Sequence, residues 1–513
     1  MKGHSHRLVI TLLCAILVQT AFAAQRTSPQ PIVIFGGRHA VSPALRELAS
    51  DRDVPASVSQ SPEVSGETFT SGLNFDGIAA GINNGGDNPD VNGAVGATQF
   101  LQWQNANGGA FAVYDKTTGA LTYGPYIAPR LWKSLGGPCA DYVSIQNLVN
   151  YDKAAGVWVM VRHVYPPTTP NYLCFAVSQT SDATGKWNLY AYALSNDQID
   201  YPKLGIWPDA YYMSFNLLAA TAPHTYLGPM ACAFDRNGMI AGGTPANPIC
   251  FTPTTTLSTL LPSDLDGATA PPTGSPNYFV NLDVNSLDIW QFHVDFTTPA
   301  SSTFTGPVNM AASPFNHACY RRAGVCIPQL GTNEPLSAWS DRLMNRLSYR
   351  NFGTYESILA THAVTSPQTS ASSAVRWYEI RSPGSKPTIY QGSTYQPDNT
   401  SRWISSIAQD KDGDIAVGYS ESSTTQYPAI AYTGRLSTDP LGTLETPENV
   451  ISPACPSGQV CDQVFNTGWG SYTSMSIDPV DDCTFWYTNQ YYIQQGSKIW
   501  NTRIASFKFS SCN

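Results

Sequence analysis

Asp90, Asp141, Asp209 and Glu356 each stand beside a short apolar run, and two such acids brought together could cleave a glycosidic bond. One acid protonates the leaving oxygen while the other attacks the sugar or activates water. Near them in the repeats stand groups that suit a sugar ring: Asn92, Trp207, Arg350, Tyr355, Arg402, Trp403, Trp469 and Tyr472. Aromatic faces stack on sugar C–H faces, arginine clamps a carboxylate, and acids accept from hydroxyls. An acid at a strand start also has a structural use, because its oxygens bond backbone amides of the turn. Spacing alone does not choose among the four.

Other chemistries find no support. There is no GxSxG nucleophile elbow, no HExxH, no P-loop and no GxGxxG, so neither a cofactor nor a catalytic metal is expected. His39, His163, His224, His293, His317 and His362 are scattered. Asp410-Lys-Asp-Gly-Asp414 spaces acids somewhat like a calcium loop, but it lacks the EF-hand order and the distal Glu and reads as a hairpin turn.

The elements that must position these residues read as strands. From about Gly72 onward, short β-branched and aromatic runs alternate with Gly, Pro, Asn and Asp clusters. Trp339–Tyr349 is the best helix-like stretch. Asp-containing turns recur at Asp115–Gly119, Asp152–Gly156, Asp235–Gly238, Asp410–Gly413 and Asp478–Asp482. Aromatic-rich approaches recur at Gly205–Met213, Asn351–Ile358, Arg402–Ile407 and Gly468–Met475. Repeated four-stranded units imply an all-β propeller. Seven units opening near Val95, Asp141, Trp207, Tyr278, Tyr349, Arg402 and Trp469 fit best, with six or eight also open. The last unit is one strand short, so an N-terminal strand is expected to close it. Loops feeding the innermost strands would then gather the twelve candidate residues around one funnel.

Composition sets the compartment. Lys2 and Arg7 precede the apolar run Leu8–Val18, and Ala21-Phe-Ala23 has the small-x-small pattern of a signal-peptidase site. Residues 1–23 are expected to be a signal peptide, 24–70 a Ser/Pro-rich loosely ordered leader containing a possible strand at Pro31–Phe35, and 71–513 the propeller. The mature chain keeps ten cysteines and no CxxC, so disulfides are expected: Cys319–Cys326 and Cys455–Cys461 as local pairs, and Cys483–Cys512 tying the C-terminus to the last hairpin, the full connectivity being left open by the sequence. Of 28 basic residues, Lys2 and Arg7 leave with the signal; the remaining 26 against 37 acids give a net of −11. An acidic chain without basic clusters is a poor nucleic-acid binder. No later segment is apolar enough to span a bilayer.

Pro89-Asp-Val-Asn-Gly-Ala-Val-Gly96, Asp341-Arg-Leu-Met-Asn-Arg-Leu-Ser-Tyr-Arg-Asn-Phe-Gly353, Arg402–Gly413 and Gly470–Pro479 running into Asp482–Tyr487 resemble a family of exported bacterial β-propeller-like proteins to which no activity attaches. Ser476-Ile-Asp-Pro-Val-Asp-Asp-Cys-Thr-Phe-Trp486 is loosely similar to the Asp-box of sialidase-like propellers, without its Gly and with longer spacing. That box implies fold rather than chemistry. The expectation is a secreted, extracellular or periplasmic, monomeric carbohydrate-active protein. It would be a glycoside hydrolase or polysaccharide lyase, or alternatively a non-catalytic propeller that binds a glycan or an extracellular protein.

Overall fold

The computed structural model describes residues 29–48, 68–80, 88–105, 109–167, 170–253, 259–320, 324–369, 372–445 and 449–513. The expected signal peptide and the Asp51–Glu67 stretch lie outside them. Among the described residues, strands dominate and are grouped in antiparallel meanders of four. The first strands of successive meanders are Asn92–Val95, Leu148–Asp152, Gln198–Ile206, Leu260–Asp266, Leu347–Asn351, Ser401–Gln409 and Ser474–Ile477. The fourth and fifth meanders merge into one eight-stranded sheet, because residues 263–266 pair in parallel with 347–350.

N-terminal residues enter three of these sheets. Phe69–Asp76 pairs with Asn501–Phe509 and gives the last meander its fourth strand. Arg38–Val41 adds an outer fifth strand beside Trp187–Ser195, and Ile32–Val33 adds one beside Ile249–Phe251.

Each sheet is apolar on both faces because each packs against two others. All eight residues of Val157–Val164 are buried. One core lies between the first and second meanders, around Trp103, Trp132, Trp158 and Trp187. Others lie between second and third, through third to fifth, between fifth and sixth, and between sixth and seventh. A further core, with Phe75, Phe100 and Trp486, joins the seventh meander back to the first. The first strands follow the same cycle: each contacts the first strand of the next meander, and Ser474–Ile477 contacts Asn92–Val95. Asn92 marks that junction, donating to Ser474 Oγ at 2.9 Å and accepting from the Val149 amide at 2.6 Å.

The expected Asp turns are visible in their hydrogen bonds. Asp115 accepts the Thr117 and Thr118 amides, and Asp410 accepts those of Asp412 and Asp414. Asp235 differs. It caps the helix Arg236–Ala241 by accepting the Gly238 amide, so the chain turns through a helix there. Trp339–Tyr349 is not helical: residues 338–346 form a loop leading into Leu347–Asn351. Here Trp339 bonds the Trp469 carbonyl and Arg346 bonds Asp264 and Asp266, contacts distant in sequence that hold the stretch extended as a loop. All five disulfides are present: Cys139–Cys174, Cys232–Cys250, Cys319–Cys326, Cys455–Cys461 and Cys483–Cys512.

The Asp410 turn carries a testable consequence. Burial, reinforced by the neighbouring Asp414, raises its carboxyl to about 7. The folded chain therefore holds a proton that the unfolded chain releases between its own lower value and about 7. This contribution is present at acid pH and lost as pH rises through 7. Asp410→Asn, which keeps an oxygen for the two amides, should lack that loss. Its melting temperature relative to the parent should rise from pH 5 to pH 8; a constant difference would refute the assignment.

Candidate functional site

Every first strand begins at one end of its sheet, called here the leading end, and finishes at the trailing end. Of the twelve residues expected to converge, eleven divide between the two, and Asp141 stands apart in the helix Pro138–Asp141. Asp90, Asn92, Arg402, Trp403, Trp469 and Tyr472 lie at or before the starts of first strands. Trp207, Asp209, Arg350, Tyr355 and Glu356 lie at the opposite turn, between first and second strands. The expected unit starts at Trp207 and Tyr278 were displaced: the third meander starts at Gln198 and the fourth at Leu260. Successive hairpins of a meander sit at opposite ends, so a displacement of one strand moves a residue across the sheet.

Most of these side chains are already engaged. Asp90 is buried and accepts from the Ser471 amide and hydroxyl and from Asn105. Burial holds its carboxyl above the usual range despite those bonds. Glu356 accepts the Tyr349 hydroxyl at 2.6 Å, and Asp209 accepts that of Tyr212 at 3.2 Å. Burial also raises Asp209. Asp141 is exposed, at the end of the short helix Pro138–Asp141, apart from the other three. Arg350 grips Asp482 through two 2.7 Å bonds, and Arg402 grips Asp398. Arg381 covers the ring of Tyr355 at 4.0 Å. Trp207 packs on Tyr349, and Trp403 on Trp469.

Between the two ends, the first strands enclose little free space. A cavity of about 30 Å³ is lined by residues that include Ala94, Asn150, Asp264, Asp266, Arg346 and Ser476. That is room for about one water, not a sugar. The two larger cavities lie at the ends instead.

At the leading end, a segment spanning 312–346 covers part of the mouth. It contains the hairpin Val325–Gln329 with Thr332–Ser337. It is pinned by Trp339 Nε1 donating to the Trp469 carbonyl at 2.9 Å, and it is tied to itself by Ser340 Oγ donating to the Ala318 carbonyl at 2.6 Å. The segment itself forms an open cavity of about 410 Å³, lined by residues that include His317, Tyr320, Trp339, Ser340, Asp341 and Arg342. Tyr320 is 78 % exposed, so its ring face is available. Arg342 holds Asp341 through two 2.8 Å bonds and lies over the rings of Tyr201 and Trp339. Partial burial works against the charged form of Asp341, but Arg342 more than offsets it and keeps the carboxyl below its usual range.

Behind Arg342, Lys203 is buried with Nζ 3.0 Å from the Tyr201 ring centre and 3.8 Å from that of Tyr472. Burial, then the charge of Arg342, push its ammonium well below the usual range. Of the expected residues, only Trp469 and Tyr472 support this mouth directly. Tyr320, Trp339, Asp341, Arg342 and Lys203 were not anticipated. The available signal was the Asp341–Gly353 motif, whose first two residues are this acid–arginine pair.

No family model matches the chain, and no curated protein matches it. Among solved structures, it is similar to a Trypanosoma rangeli sialidase, at 9% identity over 70% of this chain and 53% of that one, with a TM-score of 0.33. It is also similar to a GH43 endo-arabinanase from Bacillus licheniformis, at 11% identity over 68% and 94%, with a TM-score of 0.28. A third is an exo-beta-1,3-galactanase from Clostridium thermocellum, at 10% identity over 67% and 74%, with a TM-score of 0.30. At these scores the overlaps assign this chain no activity. Among the described residues, no group of His, Cys, Asp and Glu could hold a metal ion, and no helix is long and apolar enough to cross a membrane.

Proposed function

We propose that this chain is an exported seven-bladed propeller, closed by Phe69–Asp76, that binds an uncharged glycan at its leading end. The cyclic packing of the sheets supports the ring, and five disulfides support an oxidising compartment. The observation that carries the ligand class is the 410 Å³ cavity, where exposed Tyr320 and the edge of Trp339 stand beside a fixed Asp341–Arg342 pair. Aromatic faces take sugar C–H groups, and the pair offers both acceptor and donor to hydroxyls. Acid and guanidinium cancel in charge, so the site does not select an ionic ligand.

Binding is better supported than hydrolysis. Hydrolysis needs two carboxylates across one bond, one of them protonated. Asp90, Asp209 and Glu356 are instead held by hydroxyl and amide donors, at different ends of the sheets.

The test is a screen of the purified mature chain against neutral polysaccharides, reading both retention and reducing-end release. Retention without release is the expected result. Release of reducing ends that Asp341→Asn abolishes would replace binding with hydrolysis, and no retention on any neutral glycan would overturn the reading. Tyr320→Ala should weaken binding by about two- to tenfold, the loss of one stacking face. Being exposed, the change should leave stability within about 0.5 kcal/mol. Unchanged affinity would remove Tyr320 from the site.

A further inference from the structure

At the trailing end a second cavity, of about 380 Å³, is open to solvent. Its walls are largely apolar, with Trp207, Pro208, Leu265, Ala268, Ala270 and Val480. Its charged groups are mostly spoken for. Arg236 binds Asp152 at 2.6 and 3.0 Å, and Arg350 binds Asp482 through two bonds. Arg346, just inside, is shared by Asp264 and Asp266. Lys153 lines both this cavity and the small axial one, and it has no hydrogen bond or ion pair among the described residues.

The charge count decides what such a cavity accepts. Four cations (Lys153, Arg236, Arg346 and Arg350) face four acids (Asp152, Asp264, Asp266 and Asp482). The surroundings are balanced while Lys153 carries its positive charge, so neither an anion nor a cation is favoured. A neutral molecule that reacts with the amine and leaves one positive charge behind preserves the balance.

We propose that Lys153 is a nucleophilic amine whose cavity takes a small neutral aldehyde. Its deprotonated nitrogen attacks the carbonyl carbon, and the carbonyl oxygen takes a proton to give a carbinolamine. Loss of water, with a second proton leaving on that oxygen, gives an iminium carrying the single positive charge of the ammonium it replaces. No oxidant or reductant is consumed. Burial pushes the Lys153 ammonium down to about 8, with the charges of Arg350 and Arg346 acting in the same direction and those of Asp266 and Asp482 opposing. Desolvation beside other cations is a recognised way of keeping a lysine amine free near neutral pH.

The experiment uses the full mature chain, glycolaldehyde and cyanoborohydride, which traps the imine, at pH 7.5, with peptide mass spectrometry as the readout. Lys153 should be labelled roughly tenfold or more faster than the exposed Lys133, Lys186 and Lys386, because burial keeps its amine free. Its rate should level off above about pH 8. Aldehyde-bearing dextran, too large for the cavity, should label the exposed lysines and spare Lys153. Labelling of Lys153 no faster than the exposed set would overturn the proposal. Equal access for the polymer would overturn the role of the cavity.

Discussion

A mature chain shortened to begin at Gly77 should not fold, whereas one shortened to begin at Thr68 should. The two differ by the strand Phe69–Asp76, which is paired along its length with Asn501–Phe509. Phe69 and Phe75 are both buried; Phe69 packs against Tyr432, Phe507 and Phe509, and Phe75 against Tyr114. Losing a buried phenylalanine costs about 3–5 kcal/mol, so the two together remove about 6–10 kcal/mol. Arg503, fully buried, also loses Asn74 and Asp76. The whole stability of a domain is about 5–15 kcal/mol, and the deletion leaves an open strand edge in addition. Among the described residues, removing 24–67 takes the outer strands Ile32–Val33 and Arg38–Val41, whose residues are mostly exposed, and with them the smaller buried contributions of Ile34, Ala44 and Leu45. Circular dichroism and gel filtration of the two truncations provide the comparison. A peptide spanning Thr68–Asp76 should restore the shorter chain, and equal melting of both truncations would show that the strand is dispensable.

Arg346→Met should cost about 3–5 kcal/mol in urea unfolding at pH 7.5. Arg346 donates to Asp264 at 2.6 Å, pairs with Asp266 and donates to the Met475 carbonyl at 2.8 Å. It thereby joins the fourth, fifth and seventh meanders. Methionine matches its length but leaves two buried carboxylates without their paired cation, with Lys153 and Arg350 still nearby. Those acids would then titrate higher in the folded state than in the unfolded one, so stability would be lost as pH rises through their raised values. The deficit should therefore be larger at pH 8 than at pH 4.5. Adding Asp264→Asn to Arg346→Met should recover part of it. A single substitution within about 1 kcal/mol of the parent would show that this network does not hold the first strands together.

Several features were legible because their causes are local. Short strands between Asp and Gly turns, and the two closely spaced cysteine pairs Cys319–Cys326 and Cys455–Cys461, depend on residues a few positions apart. The site was less legible. Asp90 meets Ser471 across 381 positions, and Trp339 meets Trp469 across 130. Trp207 and Glu356 looked like funnel residues because their aromatic-rich surroundings matched those of Trp469. A four-strand repeat carries such a segment at either end, and the strand offset that separates the ends leaves no mark in composition.

Strand alternation, tight turns and the two short disulfide loops follow from the order of amino acids alone, since backbone geometry imposes them within a few residues. Which loops share a mouth, which acids are saturated by donors and which lysine stands unpaired were settled by the packed fold. Those properties arise only when sheets distant in the chain pack face to face and bring their ends together.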